Sequence, residues 1–298
     1  MADKFLSSLV GGGGGFIGDV KPLNVNDTGG LFVQDGQSWL KTGVVNTDTA
    51  SYPDAKIGSE TTGVYSGTSF SVASQDTRPS GITWDGTHLW VVGDSNNAVY
   101  KYTAAGTYTG TSFSVASQDT QPSGITWDGT HFWVVGTNGD AASKYTSAGV
   151  YTNTNFSVAS QESTPQGITW DGTHFWVIGS TNDTAYKYTA TGTYTGTSFS
   201  VASQEGNPQG ITWDGTHFWV IGSTNDTAYK YTSAGVYTGT SFSVVSQDGT
   251  PQGITWDGTH FWVIGSTNDT AYKYNSIQFV GLASASTEYS VPTYVRIK

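Results

Sequence analysis

At 298 residues the chain can hold one large domain or two smaller ones, and its many Gly and Tyr residues, together with eleven Trp, suit short strands and turns rather than long helices. A formal charge of −11 with only twelve Lys and Arg, nowhere clustered, argues against a nucleic-acid ligand, because binding a phosphate backbone needs basic groups to displace counterions. Without cysteine there is no disulfide framework, thiolate metal site or cysteine nucleophile, and no apolar run approaches the ~18 residues of a membrane span.

Residues 1–20 read as a flexible or docking segment. A short apolar patch (Phe5, Leu6, Leu9, Val10) precedes five glycines, Gly11 to Gly15, a run that disfavours helix and strand alike. The patch lacks the h-region and cleavage site of a signal peptide. Residues 21–60 predict a small β module: Leu31-Phe-Val33, Asp35-Gly36 and Trp39-Leu40 have the layout of a hairpin, which is too little to fold strongly alone.

Residues 61–276 are dominated by a repeat. The string Gly-Ile-Thr-Trp-Asp-Gly-Thr-His occurs five times, with its tryptophans at Trp84, Trp127, Trp170, Trp213 and Trp256, each 43 residues after the last. A second series follows at Trp90, Trp133, Trp176, Trp219 and Trp262. One unit predicts four strands. Gly167–Trp170 is the first, and Asp171-Gly172 supplies a tight turn in which Gly accepts positive φ. His174–Ile178 is the second, apolar on both faces as a strand sandwiched between sheets must be. Gly179 to Asp183 forms a polar loop, Ala185–Tyr188 is the third strand, and Gly192 marks the next turn. The fourth strand, Thr193 to Val201, is rich in Thr and Ser, which suits an outer edge that must stay soluble. A four-stranded unit of about 40–45 residues is the signature of a propeller blade.

Strand counting sets the blade number. Sets of first to third strands begin near Gly81, Gly124, Gly167, Gly210 and Gly253, but only the first four are followed by a fourth strand. After the fifth set, Asn275 to Val280 abandons the pattern. A stray fourth strand precedes everything: Gly63 to Val72 nearly matches Gly235 to Val244. Pairing this orphan with the vacancy closes a ring and removes an open sheet edge. The expected fold is therefore all-β: a five-bladed β-propeller of 43-residue, four-stranded blades closed by its terminal strands, with small β-rich flanks. An open solenoid also stacks repeats, but it gives no reason for the displaced strand. The tail, residues 277–298, alternates enough (Tyr289, Val291, Tyr294, Val295, Ile297) to add a strand or two packing near the 21–60 module.

The flanks carry a resemblance. Ser38-Trp-Leu-Lys-Thr-Gly-Val-Val45, then Asp48-Thr-Ala-Ser-Tyr-Pro-Asp54, and the ending Tyr294-Val-Arg-Ile-Lys298 resemble segments of tail-fibre and related virion proteins of tailed phages. The repeat resembles NHL-type blades (Pro, Gly-Ile, Asp-Gly, then an apolar strand) and, in blade number, the tachylectin-type lectins. It matches neither the sialidase Asp-box nor the Gly-His of WD-repeat blades. What the phage resemblance implies is a virion protein on an exposed part of the tail. The N-terminal segment would dock on other tail or baseplate proteins, the assembly would be a homo-oligomer, and a host-surface glycan is the implied ligand. The alternatives are a structural or decorating virion component with no host ligand, and a free five-bladed lectin unconnected to a virion.

Candidate chemistry lies in three places. His88, His131, His174, His217 and His260 occupy equivalent ring positions and could form a metal or pH-sensing ring; ordering of the first hairpin is the simpler role, since no second ligand type sits beside them. The repeat Trp could stack on sugars, but filling the wedge between blades accounts for them; the paired tyrosines, Tyr186 and Tyr188 with their counterparts, are left open. The loops are the most informative. The fourth-to-first loops supply Gln75 and Asp76, Gln118 and Asp119, Gln161 and Glu162, Gln204 and Glu205, and Gln247 and Asp248. The second-to-third loops supply Asn96 and Asn97, Asn138 and Asp140, Asn182 and Asp183, Asn225 and Asp226, and Asn268 and Asp269. Both sets emerge on one face, where amides, hydroxyls and carboxylates suit sugar hydroxyls and repetition gives multivalency. Catalysis is not expected, because near-identical blades supply copies where an enzyme needs distinct roles; the departures are Arg78, Asp94, Asn138-Gly139-Asp140 and Asn207. No cofactor or metal is expected.

Overall fold

The computed structural model describes residues 31–34, 37–42, 60–276, 278–279 and 293–297. The expected docking role of residues 1–20 therefore lies outside the described residues, as does the 43–59 segment that carries part of the phage resemblance. The chain divides into two units, Thr61–Gln278 and Met1–Glu60 with Phe279–Lys298.

Thr61–Gln278 is a closed ring of five four-stranded antiparallel sheets. In the third blade the strands are Pro165–Trp170, His174–Gly179, Thr184–Thr189 and Tyr194–Ser200, one or two residues from the bounds that the sequence predicts. The last blade runs Pro251–Trp256, His260–Gly265, Thr270–Asn275 and then Val64–Ser71. The orphan strand fills the vacancy in the repeat register: Ala271 pairs with Phe70, Tyr272 with Ser69 and Tyr274 with Tyr65. Closure also continues past the strand, where the Gly63 amide donates to the Asn275 carbonyl at 2.7 Å.

The core lies between blades, in five equivalent clusters. At one junction Trp176, Ile178, Ala185, Phe199 and Val201 pack against Ile211, Phe218, Val220 and Tyr231 of the next blade. The closing junction is built alike, with Val72, Trp262, Ile264 and Ala271 against Ile82, Leu89, Val91 and Tyr102, Leu89 standing where the other four junctions have Phe. This explains the double-sided apolar second strand: each of its faces belongs to a different junction. The outer strands are mostly exposed Thr and Ser, but each turns one Phe inward; Phe199 is 8% exposed, with its ring 5.4 Å from that of Trp176.

At the axis the five inner strands meet through glycine. A methyl placed on Gly124 would lie 2.9 Å from the Gly167 Cα, and one on Gly253 3.0 Å from the Gly81 Cα, so the contact runs round the whole ring. The axis is left with no more than a water-sized gap, lined by these glycines and by Ser80, Ser123, Gln166, Gln209 and Gln252.

The other unit contains Leu31–Gln34, Gln37–Thr42 and Thr293–Ile297 as one three-stranded sheet with Gln37–Thr42 in the middle. Both pairings are antiparallel, Phe32 with Trp39 and Leu40 with Val295.

Candidate functional site

Antiparallel blades put the second-to-third and fourth-to-first connections at one end of the ring, here called the top, and the two other turns at the bottom.

The bottom is built on the Asp-Gly-Thr-His turn. In blade four, Asp214 Oδ1 accepts the amides of Thr216 (2.9 Å) and His217 (2.7 Å), while Oδ2 accepts the Trp219 indole N–H at 2.8 Å. Gly215 takes φ +98°, as the turn requires. Lys230, opposite Trp219 in the ladder, sits over its ring at 5.6 Å. Burial pushes the Asp214 carboxyl up, but the donated hydrogen bonds outweigh it and hold it below the ordinary carboxylate range; Asp128 and Asp257 behave alike. Such depressed carboxyls contribute stability that is present above the unfolded-state pKa and lost as pH falls through the folded one. The turn is thus ordered by Asp and by the His backbone N–H. The imidazole rings stay half-buried, 3.7–3.9 Å from the carboxylates, and no metal-binding cluster occurs among the described residues.

The tryptophans divide into two populations. The second-strand series is core, 1–3% exposed; the first-strand series is only partly buried, Trp213 lying against Phe218 at 4.6 Å. The tyrosines divide likewise. Tyr188 is 1% exposed, and burial pushes its hydroxyl pKa up. Its O–H meets Gln161 Oε1 at 3.3 Å. Tyr186 is half-buried and packs edge-on to Tyr194.

The top is a double-layered polar face. In the lower layer Asp76, Asp119, Glu162, Glu205 and Asp248 are 0–8% exposed. Each ties its own loop to the neighbouring second-to-third loop: Glu205 accepts the amides of Asn207 (3.0 Å) and Thr224 (3.0 Å), and Asp76 those of Arg78 (2.8 Å) and Asn96 (3.1 Å). The room comes from a glycine ending every second strand: a Cβ on Gly222 would overlap Glu205, and one on Gly93 would overlap Asp76. The five glutamines, Gln75, Gln118, Gln161, Gln204 and Gln247, all receive a tyrosine hydroxyl, at 3.1–3.3 Å. Asn97, Asp140, Asp183, Asp226 and Asp269 hold the left-handed position of the loop at φ 45–50°, and their carbonyls accept the amides of Val115, Val158, Val201, Val244 and Val72.

The upper layer is exposed. It includes Asn96, Asn138, Asn182, Asn225 and Asn268, with Thr181, Thr224 and Thr267 beside the last three. Four of the asparagines donate to the carbonyl of a loop glutamine, as Asn182 does to Gln161 at 3.1 Å, and Asn138 bonds the Thr120 hydroxyl. Nearer the axis the blades differ. Arg78 and Asp94 form a two-pronged ion pair, 2.6 Å at each prong, which raises the Arg78 pKa; the same place holds Asn207 with Ser223 (2.8 Å) and Thr250 with Ser266 (3.0 Å). Sequence reading places all twenty loop residues on this face but does not separate the layers. The signal was present: an acid recurs 17 residues before each strand-ending glycine, as in Glu205 and Gly222.

No family model matches the chain, and neither does any curated protein. Solved structures do match. The virginiamycin B lyase of Staphylococcus aureus is 18% identical, over 70% of this chain and 98% of its own, with a TM-score of 0.45. The glutaminyl cyclase of Myxococcus xanthus is 9% identical, over 71% of this chain and 95% of its own, with a TM-score of 0.53. BamB of Moraxella catarrhalis is 10% identical, over 67% and 60%, with a TM-score of 0.38. At 9% identity the likeness to the glutaminyl cyclase is one of fold alone, and the five four-stranded sheets of Thr61–Gln278 make that unit a five-bladed β-propeller.

Proposed function

We propose that this protein is a receptor-binding component of a phage virion, whose propeller binds host-surface glycan through its top face. The observation that carries the binding reading is the double-layered face: exposed amides and hydroxyls recur round the ring on loops that buried carboxylates hold rigid. A rigid polar array loses little entropy on binding a hydroxyl-rich ligand, and weak repeated sites gain through multivalency. The reading is of a binding protein, since near-identical blades supply copies of one arrangement where an enzyme needs distinct residues in distinct roles. The virion assignment draws on the flanking segments around Trp39 and Tyr294. A second reading, a virion component that packs against neighbouring subunits and takes no host ligand, draws on the asparagine amides that are already committed to loop carbonyls.

The experiment is a glycan array with the full chain, repeated with Thr181→Lys/Thr224→Lys/Thr267→Lys on the top and Ala190→Lys/Ser233→Lys at the bottom. The proposal predicts retention that the top variant loses and the bottom variant keeps. Retention that survives the top variant rejects the assigned face; an array silent for the unaltered chain favours the second reading.

A further inference from the structure

Four of the five second-to-third loops carry an aspartate at the left-handed position, and one carboxyl oxygen, Oδ1, of each of Asp140, Asp183, Asp226 and Asp269 is buried without a hydrogen-bond partner. The fifth loop has Asn97 in the same backbone conformation, φ 50°. With its amide nitrogen turned inward, Asn97 donates to the Thr120 carbonyl (2.8 Å) in the adjoining fourth-to-first loop and to the Asp94 carbonyl (3.2 Å) in its own. It therefore clips two top loops together across a blade junction. By the 43-residue repeat, Asp183 corresponds to Asn97, and the carbonyls of Gly206 and Ser180 correspond to those of Thr120 and Asp94.

A pocket walled by carbonyl oxygens calls for a donor. Asn brings one, an ionised Asp brings none, and a protonated Asp has nearly the shape of Asn with one O–H to give. A hard cation could also sit among such oxygens, but the same pocket is filled in this chain by a neutral amide, the isostere of the acid. We propose that Asp140, Asp183, Asp226 and Asp269 close their junctions as neutral carboxylic acids, so that the top loops are clipped together in acid and released as the carboxyls ionise.

The charged groups that bear on the four support this. Asp119 and Glu162 face Asp140, Glu205 and Glu162 face Asp183, Glu205 and Asp248 face Asp226, and Asp76 and Asp248 face Asp269. All are carboxylates. Burial first, and these neighbours second, hold each of the four pKa values above the ordinary range. A raised carboxyl contributes stability that is complete below its unfolded pKa and disappears as pH rises through the folded one, opposite in sign to Asp128, Asp214 and Asp257 at the bottom. The inference rests on the ring and does not depend on the glycan reading.

The test is thermal unfolding of the full chain from acid to neutral pH, for the unaltered protein and for D140N/D183N/D226N/D269N. The two are expected to unfold together in acid, with the variant gaining several degrees as neutrality is approached. Parallel curves, or a variant that is less stable at neutral pH, overturn the proposal. Should the fourfold variant not fold, D183N alone decides on the same criteria, with about a quarter of the gain because the sites are well separated. A second arm adds calcium to metal-free protein at neutral pH. A rise in Tm that the variant does not share shows a cation in the pockets and overturns the proposal; no rise supports it.

Discussion

Trp219→Ala lowers the stability of the propeller by about 3–5 kcal/mol, the usual cost of truncating a fully buried aromatic. The side chain is 1% exposed and joins two blades, with its ring 5.5 Å from Phe242 in its own blade and 4.8 Å from Phe261 in the next. Removing it opens a cavity at that junction, strips Asp214 Oδ2 of its indole donor and leaves Lys230 without the ring it covers. Trp213→Ala, six residues earlier in the half-buried series, should cost only about 1–2 kcal/mol, since it gives up less buried apolar area. Denaturant unfolding of both variants measures the difference as a shift in midpoint at unchanged slope. Equal costs would mean that the two tryptophan series do not differ in burial as described.

Gly210→Ala is expected to cost about 3 kcal/mol or more, the upper end of what overpacking a tight interior produces. The new methyl would lie 2.9 Å from the Gly253 Cα and 3.0 Å from the Ile254 amide nitrogen. Both are backbone atoms, so no rotamer change relieves the contact. In a closed ring the neighbouring inner strand cannot retreat either, because Gly253 already stands against Gly81. Gly196→Ala is the control: nothing lies within 4 Å of its Cβ position, and only its φ of +83° is unfavourable, worth about 1–2 kcal/mol. Calorimetric or denaturant unfolding that ranks the two variants equally would contradict the axial packing.

The architecture was legible because the repeat is nearly exact. Trp84 to Trp256 fix the period, and the mismatch between Gly63–Val72 and the incomplete last blade fixes the closure; both are properties of sequence register, which needs no tertiary knowledge. The site was legible only by position. Period and strand order place Gln161 and Glu162 on the same face as Asn182 and Asp183, yet the four do different things: Glu162 is buried beneath the loop, Gln161 receives the Tyr188 hydroxyl, Asp183 holds a left-handed turn, and only Asn182 is exposed. Burial on that scale depends on whether a neighbouring backbone leaves room for a carboxylate, which here turns on the absent Cβ of Gly179. The histidines show the same limit. Their spacing suggests a ring of side chains, whereas the hairpin uses the His217 backbone N–H and leaves the imidazole at its edge. The axial contact between Gly210 and Gly253 joins residues one whole repeat apart and becomes visible only once the ring is closed.

That closure can be tested by a covalent bond. Ser71 and Thr270 are paired across the last blade, and directly opposed antiparallel residues have Cα atoms about 4.5–5.5 Å apart, within the range a disulfide spans. The chain has no cysteine of its own, so S71C/T270C introduces the only two thiols. Mild oxidation of the folded protein should give a monomer with both thiols consumed, which runs faster than its reduced form on a denaturing gel. Thiols that stay free in the folded monomer, or that join only between molecules, would place the strand around Phe70 away from Thr270–Asn275 and contradict the closed five-bladed ring.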